Sequence, residues 1–316
     1  MPRAPRLSGQ SSAREGPDSP DRPARKLLVV LNRHASRAAS VGAAIAYLAG
    51  RGLDLDIRQS ADRNHLARLI REEGPAADAI VLAGGDGTVN GALEALIDAG
   101  RPVGILPCGT ANDLALTLGI PAEPVAAAEI LAGFHTRPID VGRVNDVCFV
   151  NVASIGFSVE IARRQDEGLK KQWGVFSYLL TALGTLTDAQ RFRAVITCDG
   201  LSREVEAYQL AVGNGVHYGG GLTIARDARI DDGLLDAYAI ETGSSAEMVA
   251  LAPLLKDGSL TLHEKVTTFR GRAIRVETGR PMDINTDGEV TATTPADFSV
   301  LPGALQVIVR PRRRGA

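Results

Sequence analysis

Between Lys26 and Gly119 the chain repeats one pattern four times: a short apolar run, a turn, then a helix-like stretch. KLLVVLN precedes the alanine-rich SRAASVGAAIAYLAG, which Gly50 and Gly52 stop. LDLDIRQS precedes RNHLARLIREE, a helix that Asp62 can cap and that ends at Gly74. AIVLAGG precedes TVNGALEALIDA, and RPVGILP precedes ANDLALTLG. Apolar runs this short, joined by helices, predict a parallel sheet covered on both faces. Ligands of such sheets sit beyond the carboxyl ends of the strands, so the GGDGT and PCGTAND turns share one edge.

After Pro138 the texture changes. Helices are predicted near Ser158–Gln165, Val175–Thr187 and Ser245–Lys256. The remainder reads as strands with turn signals: FRAVITCD, SREVEAYQLAVGN, LLDAYAIET, KVTTFRG, AIRVET and PMDINTDGEVTAT. That spacing predicts an antiparallel sandwich or barrel. A chain of 316 residues favours two domains. We expect a disordered tail over 1–25, an α/β nucleotide-binding domain over 26–142, a β-domain over 143–300 and a C-terminal segment over 301–316.

The bulk composition, 45% hydrophobic and 23% charged with a formal net charge of −2, is that of a globular protein and gives no reason to expect nucleic acid as partner. Three scattered cysteines, Cys108, Cys148 and Cys198, suit a reducing cytoplasm and predict neither a disulfide framework nor a zinc site. No run approaches the roughly 18 apolar residues that span a bilayer. The first ~24 residues lack the apolar centre of a signal peptide. A cytoplasmic protein is expected, with a peripheral place at the inner membrane face left open. The basic end RPRRRGA is either a solvated tail or a weak attraction to anionic headgroups.

The turns carry the chemistry. Gly84, Gly85 and Gly87 let backbone amides approach phosphate oxygens at a helix start, and Thr88 can cap the helix or donate to phosphate. A tight strand-to-helix turn needs glycine too. A dinucleotide fingerprint is disfavoured, because that loop follows the first strand of its fold with a different glycine spacing. Asp86 stands where a phosphate loop would carry lysine. If magnesium rides with ATP, a carboxylate there holds the metal or its waters. Pro107–Asp113 repeats the logic one strand later, with Gly109, Thr110, Asn112 and Asp113 forming an N-cap or a second pocket wall. In the β-domain, IARDARIDDGLLDAY holds Asp227, Asp231, Asp232 and Asp236, and INTDGEV holds Asp287 and Glu289. Asp232-Gly233 and Asp287-Gly288 are also hairpin signals, and a lone glutamate after a turn is commonly solvated.

The series GGDGTVN, LPCGTANDLA, NVASIGF, AVGNGVHYGGGL, IDDGLLD, NTDGE and LPGAL resembles the diacylglycerol kinase catalytic-domain family, in particular its bacterial lipid kinases, from about Lys26 to Arg310. GGDGT alone is shared with NAD kinases. The resemblance implies a Rossmann-like three-layer α/β domain and an antiparallel β-sandwich with the ATP cleft between them, the C-terminal segment returning to the first domain. It implies nucleotide contacts at Asn32, Ser60, Gly84, Gly85, Asp86, Gly87, Thr88, Val89 and Thr110, with Asn112 and Asp113 beside them and Asp86 and Asp113 in a carboxylate network. It implies a metal site with a side chain from Asp232 and carbonyls from Arg229 and Leu234, Asp231 nearby, and Glu289 as general base. The loop Asn32–Arg37 departs from the family's Asn-Pro and Ser-Gly pattern; Arg37 stands where some members carry lysine and can reach phosphate.

The implied activity is ATP- and magnesium-dependent phosphorylation of a lipid hydroxyl, of diacylglycerol or a related glycerolipid. NAD kinase is the nearest rival, and GTAND and DGE in lipid-kinase order stand against it. A silent regulator sensing nucleotide or lipid is the rival of another class, and the presence of Asp86, Asp232 and Glu289 stands against that. GLKKQWGVFSYLLTALGTL (Gly168–Leu186) offers a cationic end and an aromatic, apolar face that suits a bilayer surface or, equally, a helix packed on the sheet. No residue selects the acceptor alcohol, and oligomeric state, a homodimer included, is open.

Overall fold

The computed structural model describes residues 24–32, 38–157, 159 and 190–311. Several expectations lie outside these residues: most of the N-terminal tail, Arg37, the helices near 158–165 (Val159 apart) and 175–187, the 168–186 segment and the basic end.

The first four strands are β1 (Lys26–Asn32), β2 (Asp54–Ser60), β3 (Ala79–Gly84) and β4 (Val103–Pro107). They pair in parallel in the order β2-β1-β3-β4. The interior of β1 and all of β3 are buried on both sides, from Leu27 to Val30 and from Ala79 to Ala83. This explains why these strands read as continuous apolar runs rather than alternating ones. The covering helices are α1 (Ala38–Gly50), α2 (Arg63–Glu73), α3 (Asp86–Ala99), α4 (Asp113–Leu118) and α5 (Pro124–Gly133). Of these α1 packs with α5, and α2 with α3. The Asp62 carboxylate caps α2 by accepting the His65 N–H at 2.8 Å. Strand order reverses between β1 and β3, and a crevice opens beyond the carboxyl ends of strands at such a point.

The rest of the chain is mostly strand. β5 (Thr136–Val144), β6 (Val147–Phe149), β7 (Val152–Gly156), β8 (Phe192–Cys198), β9 (Leu201–Ala207) and β10 (Gln209–Gly213) come first. The short hairpin β11 (His217–Tyr218) and β12 (Leu222–Thr223) precedes β13 (Leu235–Ile240), β14 (Val266–Gly271) and β15 (Ala273–Thr278). β16 (Asp283–Thr286), β17 (Glu289–Thr293) and β18 (Ala296–Ile308) end it. One antiparallel sheet has the order β14-β13-β10-β7-β16-β17. It faces the β18-β15-β8-β9 edge of the first sheet across a core of Phe149, Phe192, Ile196, Leu210, Val276, Ile284 and Phe298. The architecture is thus an α/β layer joined to an antiparallel sandwich, and of the two all-β readings the barrel is set aside.

The structure departs from the sequence reading in several places: α5, β5, β6 and β7 are not among the predicted elements, and SREVEAYQLAVGN is two strands, β9 and β10, in different sheets. The helix predicted over Ser245–Lys256 is helical to Ala250 (α6, Ser245–Ala250), then tightens into a 3₁₀ turn over Ala252–Leu255, where Pro253 has no N–H to continue an α-helix. β18 was not read as a strand at all. Ala296–Ser299 pair with β15 on one edge, Phe298–Ile308 pair with β5 on the other along nearly the full strand, and Val307 reaches Val103 of β4 in parallel. A register shift between Leu301 and Leu305, at LPGAL, lets one strand serve both layers. Among the described residues no helix is long and apolar enough to cross a membrane.

Candidate active site

The glycines of the first turn have separate reasons. A Cβ on Gly84 would lie 2.3 Å from Thr88 Oγ1, and one on Gly85 would lie 2.8 Å from Gly109 Cα. One on Gly87 would meet nothing within 4 Å. Gly84 and Gly85 are therefore needed by packing, and only Gly87 opens the turn toward a ligand. Thr88 is buried, and its hydroxyl accepts from Asn32 Nδ2 at 2.8 Å, joining the end of β1 to the first turn of α3 at the reversal of strand order. Ser60 lies level with Asn32 on β2 and is buried, with Oγ donating to Leu31 O at 3.3 Å. Val89 has a buried side chain, so any contact it makes to a ligand is through its backbone.

The second turn folds back on itself. Asn112 is left-handed (φ 56°), and its amide both accepts from Gly109 N and donates to Gly109 O at 2.9 Å. Thr110 is exposed at the tip. Cys108 is buried in the core, as a packing residue should be. Asp86, first residue of α3, accepts the Leu114 N–H at 3.1 Å and so ties the two turns together.

Three carboxylates converge from different parts of the chain. Asp113 is buried and accepts from Gly220 N at 2.9 Å and Gly221 N at 2.7 Å. Burial pushes its pKa up to about 6, opposed by those amides and helped by the charges of Asp86 and Asp287. Asp287, left-handed at φ 49°, accepts three successive backbone N–H groups, those of Val150, Asn151 and Val152, at 2.7, 3.0 and 3.0 Å. Desolvation likewise raises it to about 6 against those three amides, and Asp86 contributes. Sequence reasoning treated Asp287 as a hairpin residue only. It is that too: Thr286 faces Glu289 across the two-residue turn Asp287-Gly288, both at positive φ. A buried anchor cannot be told from a solvated turn by local sequence.

Glu289 begins β17, half-exposed, and its carboxylate takes both Nη atoms of Arg63 on α2 at 2.5 and 2.6 Å. Arg63 was not singled out from the sequence; the contact spans 226 residues.

The acidic loop of the β-domain lies apart from this cluster in its bonding. Arg270 on β14 donates to Asp227 at 2.6 Å and Asp232 at 2.7 Å, and its Nε lies 3.4 Å from Asp236. Asp232 also accepts the Leu234 N–H at 3.1 Å. Asp231 pairs with Arg229 and lies 3.6 Å from Arg137. Burial raises Asp236 to about 6, with Arg270 opposing and Asp232 and Asp227 adding to the rise. The buried Asp140, another residue missed in sequence, accepts Gly233 N at 2.7 Å and Gly303 N at 2.8 Å and so binds this loop to LPGAL.

For magnesium, a hard cation that takes oxygen ligands, the two places differ. In the Asp86–Asp113–Asp287 cluster, Asp113 and Asp287 are raised chiefly by burial and already accept backbone amides on both oxygens. Asp86 spends only Oδ1 on the Leu114 N–H and is the member left to meet a metal that arrives with a ligand. Two buried side-chain oxygens, Asn151 Oδ1 and Asn214 Oδ1, have no hydrogen-bond partner among the described residues. In the 229–234 loop the carboxylates are already neutralised by guanidinium groups. Among the described residues no group of three or more His, Cys, Asp or Glu is placed to hold a metal.

This pair of layers sets a glycine turn at the strand reversal, with acids from both layers beside it. Residues 26–144 match the diacylglycerol kinase catalytic domain, and residues 151–309 match the YegS C-terminal NAD kinase beta sandwich-like domain. A Pseudomonas aeruginosa protein named "Probable lipid kinase YegS-like" is 36% identical over 89% of this chain and 93% of its own length. A Mycobacterium tuberculosis "Diacylglycerol kinase" is 32% identical, with the same two coverages. A Bacillus anthracis crystal structure described as a "putative diacylglycerol kinase" superposes with a TM-score of 0.81 at 27% identity, covering 96% of this chain and 99% of that one. The chain belongs to the diacylglycerol kinase catalytic-domain family, and it is a kinase that transfers phosphate to an alcohol.

Proposed function

We propose that the chain is an ATP- and magnesium-dependent lipid kinase acting on a hydroxyl of a membrane glycerolipid, diacylglycerol or a close relative. The observation that carries this reading is Asp86 at the start of α3, bonded to the second turn and set among Asp113 and Asp287, with Glu289 one hairpin turn from Asp287. The first-turn amides of α3 meet the phosphates, assisted by the helix dipole, and the open face at Gly87 admits them. Asp86, with Asp113 behind it, would hold magnesium, which neutralises charge on the transferring phosphoryl group. Glu289 accepts the proton of the acceptor hydroxyl as its oxygen bonds to the γ-phosphorus and the bond to the ADP oxygen breaks. Asn32, Ser60, Thr110 and Asn112 shape the nucleotide side of the crevice. A second metal at Arg229, Leu234 and Asp232 has to displace Arg270 from Asp232, so the reading needs only the metal that accompanies ATP.

The test is transfer from γ-labelled ATP in magnesium buffer to a panel of lipid alcohols in mixed micelles, with Glu289→Gln alongside. Label in one glycerolipid, lost in the variant while ATP binding persists, supports the reading. Label in NADP instead overturns it in favour of an NAD kinase. ATP binding with no labelled product overturns it in favour of a regulator.

A further inference from the structure

We propose that Arg63 is the positioning residue for the general base, holding the Glu289 carboxylate in one plane at the junction of the two layers. The inference rests on the role assigned to Glu289 above.

Three observations on different elements agree. Both Nη atoms of Arg63 donate to the two oxygens of Glu289, the two-point geometry that fixes a carboxylate's orientation as a single hydrogen bond cannot. Among the described residues Arg63 is the partner of this carboxylate in every hydrogen bond and ion pair it makes. Both ends of the pair are themselves fixed. Arg63 is the first residue of α2, set by the Asp62 cap, and Glu289 follows the turn whose Asp287 is anchored by three amides. Third, α3 makes room for the arginine: a Cβ on Gly91 would lie 2.7 Å from Arg63 Nε and 3.0 Å from Cγ.

An exposed glutamate with three free torsions spends most of its time in rotamers that do not face an acceptor. A guanidinium pair removes that freedom, and it consumes one lone-pair site on each oxygen. The remaining site on each oxygen stays open to a hydroxyl proton. Arg63 also lines a cleft of about 270 Å³ with Asn64, Asn90, Glu94, Thr286 and Thr291, so the guanidinium end of the pair borders open space. The two side chains are 45% and 47% exposed, so solvent screens the pair and its removal leaves folding nearly unchanged. That separates orientation from stability.

The experiment measures kcat and KM for ATP in the labelled-lipid assay for Arg63→Ala, Arg63→Lys, Glu289→Gln and the double variant Arg63→Ala/Glu289→Gln, with melting temperature recorded for each. Loss of positioning is expected to lower kcat by about 10- to 100-fold with KM for ATP unchanged. Arg63→Lys is expected to recover part of that, and the double variant to be no slower than Glu289→Gln alone, since residues acting as a unit are non-additive. Gly91→Ala provides a second route: it displaces the arginine while improving the helix, and is expected to lower kcat with no loss in melting temperature. A normal kcat in Arg63→Ala beside an inactive Glu289→Gln overturns the positioning role and leaves the base intact. A loss carried by KM for ATP makes Arg63 a nucleotide contact and also overturns it. An active Glu289→Gln removes the base, and this inference with it.

Discussion

Gly85 and Gly109 touch back to back: a Cβ built on Gly109 would lie 2.6 Å from Gly85 Cα, and one on Gly85 would lie 2.8 Å from Gly109 Cα. Both partners are backbone, so neither can yield as a side-chain tip would. The two turns are thus one rigid object, further held by the Asp86 carboxylate on Leu114 N. Gly109→Ala is expected to destabilise the fold by about 1–3 kcal/mol through overpacking. Gly87→Ala, in open space within α3, is expected to keep or raise the melting temperature while raising KM for ATP. Thermal unfolding and steady-state kinetics on the two variants check this opposite pairing.

The raised carboxyl of Asp113 has a consequence for stability against pH. Its folded pKa of about 6 lies above the ordinary 3.8, so the folded state holds the proton more tightly than the unfolded one. The group therefore favours folding below about pH 4, loses that contribution as pH rises toward 6, and opposes folding above it. Asp113→Asn is expected to raise the melting temperature relative to the parent at pH 7.5 and to show a smaller gain at pH 5. Parallel melting curves at the two pH values decide it; an equal gain at both would place the titration elsewhere.

Arg270 reaches from β14 to the acidic loop and balances its charge there, where a metal would otherwise have to. Chelation by EDTA is expected to leave the melting temperature of the ATP-free protein unchanged. Arg270→Met, which leaves Asp232 and Asp236 partly buried and without their cation, is expected to cost about 2 kcal/mol. A magnesium-dependent rise in melting temperature, absent in the parent, is expected to appear in that variant. Differential scanning fluorimetry with and without magnesium tests both halves.

Asp140 clamps two loops that are distant in sequence. Asp140→Ala leaves the Gly233 and Gly303 N–H groups without their acceptor, and is expected to cost about 2–4 kcal/mol at roughly 1–2 kcal/mol for each amide. Hydrogen exchange should show new lability at both loops, and change at only one of them would mean the other is held independently.

Much of the fold was readable because its causes are local. The buried strands β1 and β3 announced themselves as apolar runs, Asp62 as a cap, and Asp287-Gly288 as a hairpin, each within a window of a few residues. β18 escaped because Pro302 and Gly303 interrupt its alternation, and what makes it a strand is its partners β5, β15 and β4. The series of motifs identified the family since each turn keeps its own residues and order. Sequence alone therefore determined the layers, the glycine turns and the acids available at them, because capping, turn chemistry and burial periodicity are properties of neighbouring residues. Only the tertiary structure decided which acids meet, that Asp287 anchors a loop, that Arg270 balances Asp232, and that Arg63 grips Glu289. Each of these joins groups that lie far apart along the chain, and a Coulomb or hydrogen-bond energy depends on separation in space, which no local pattern of residues encodes.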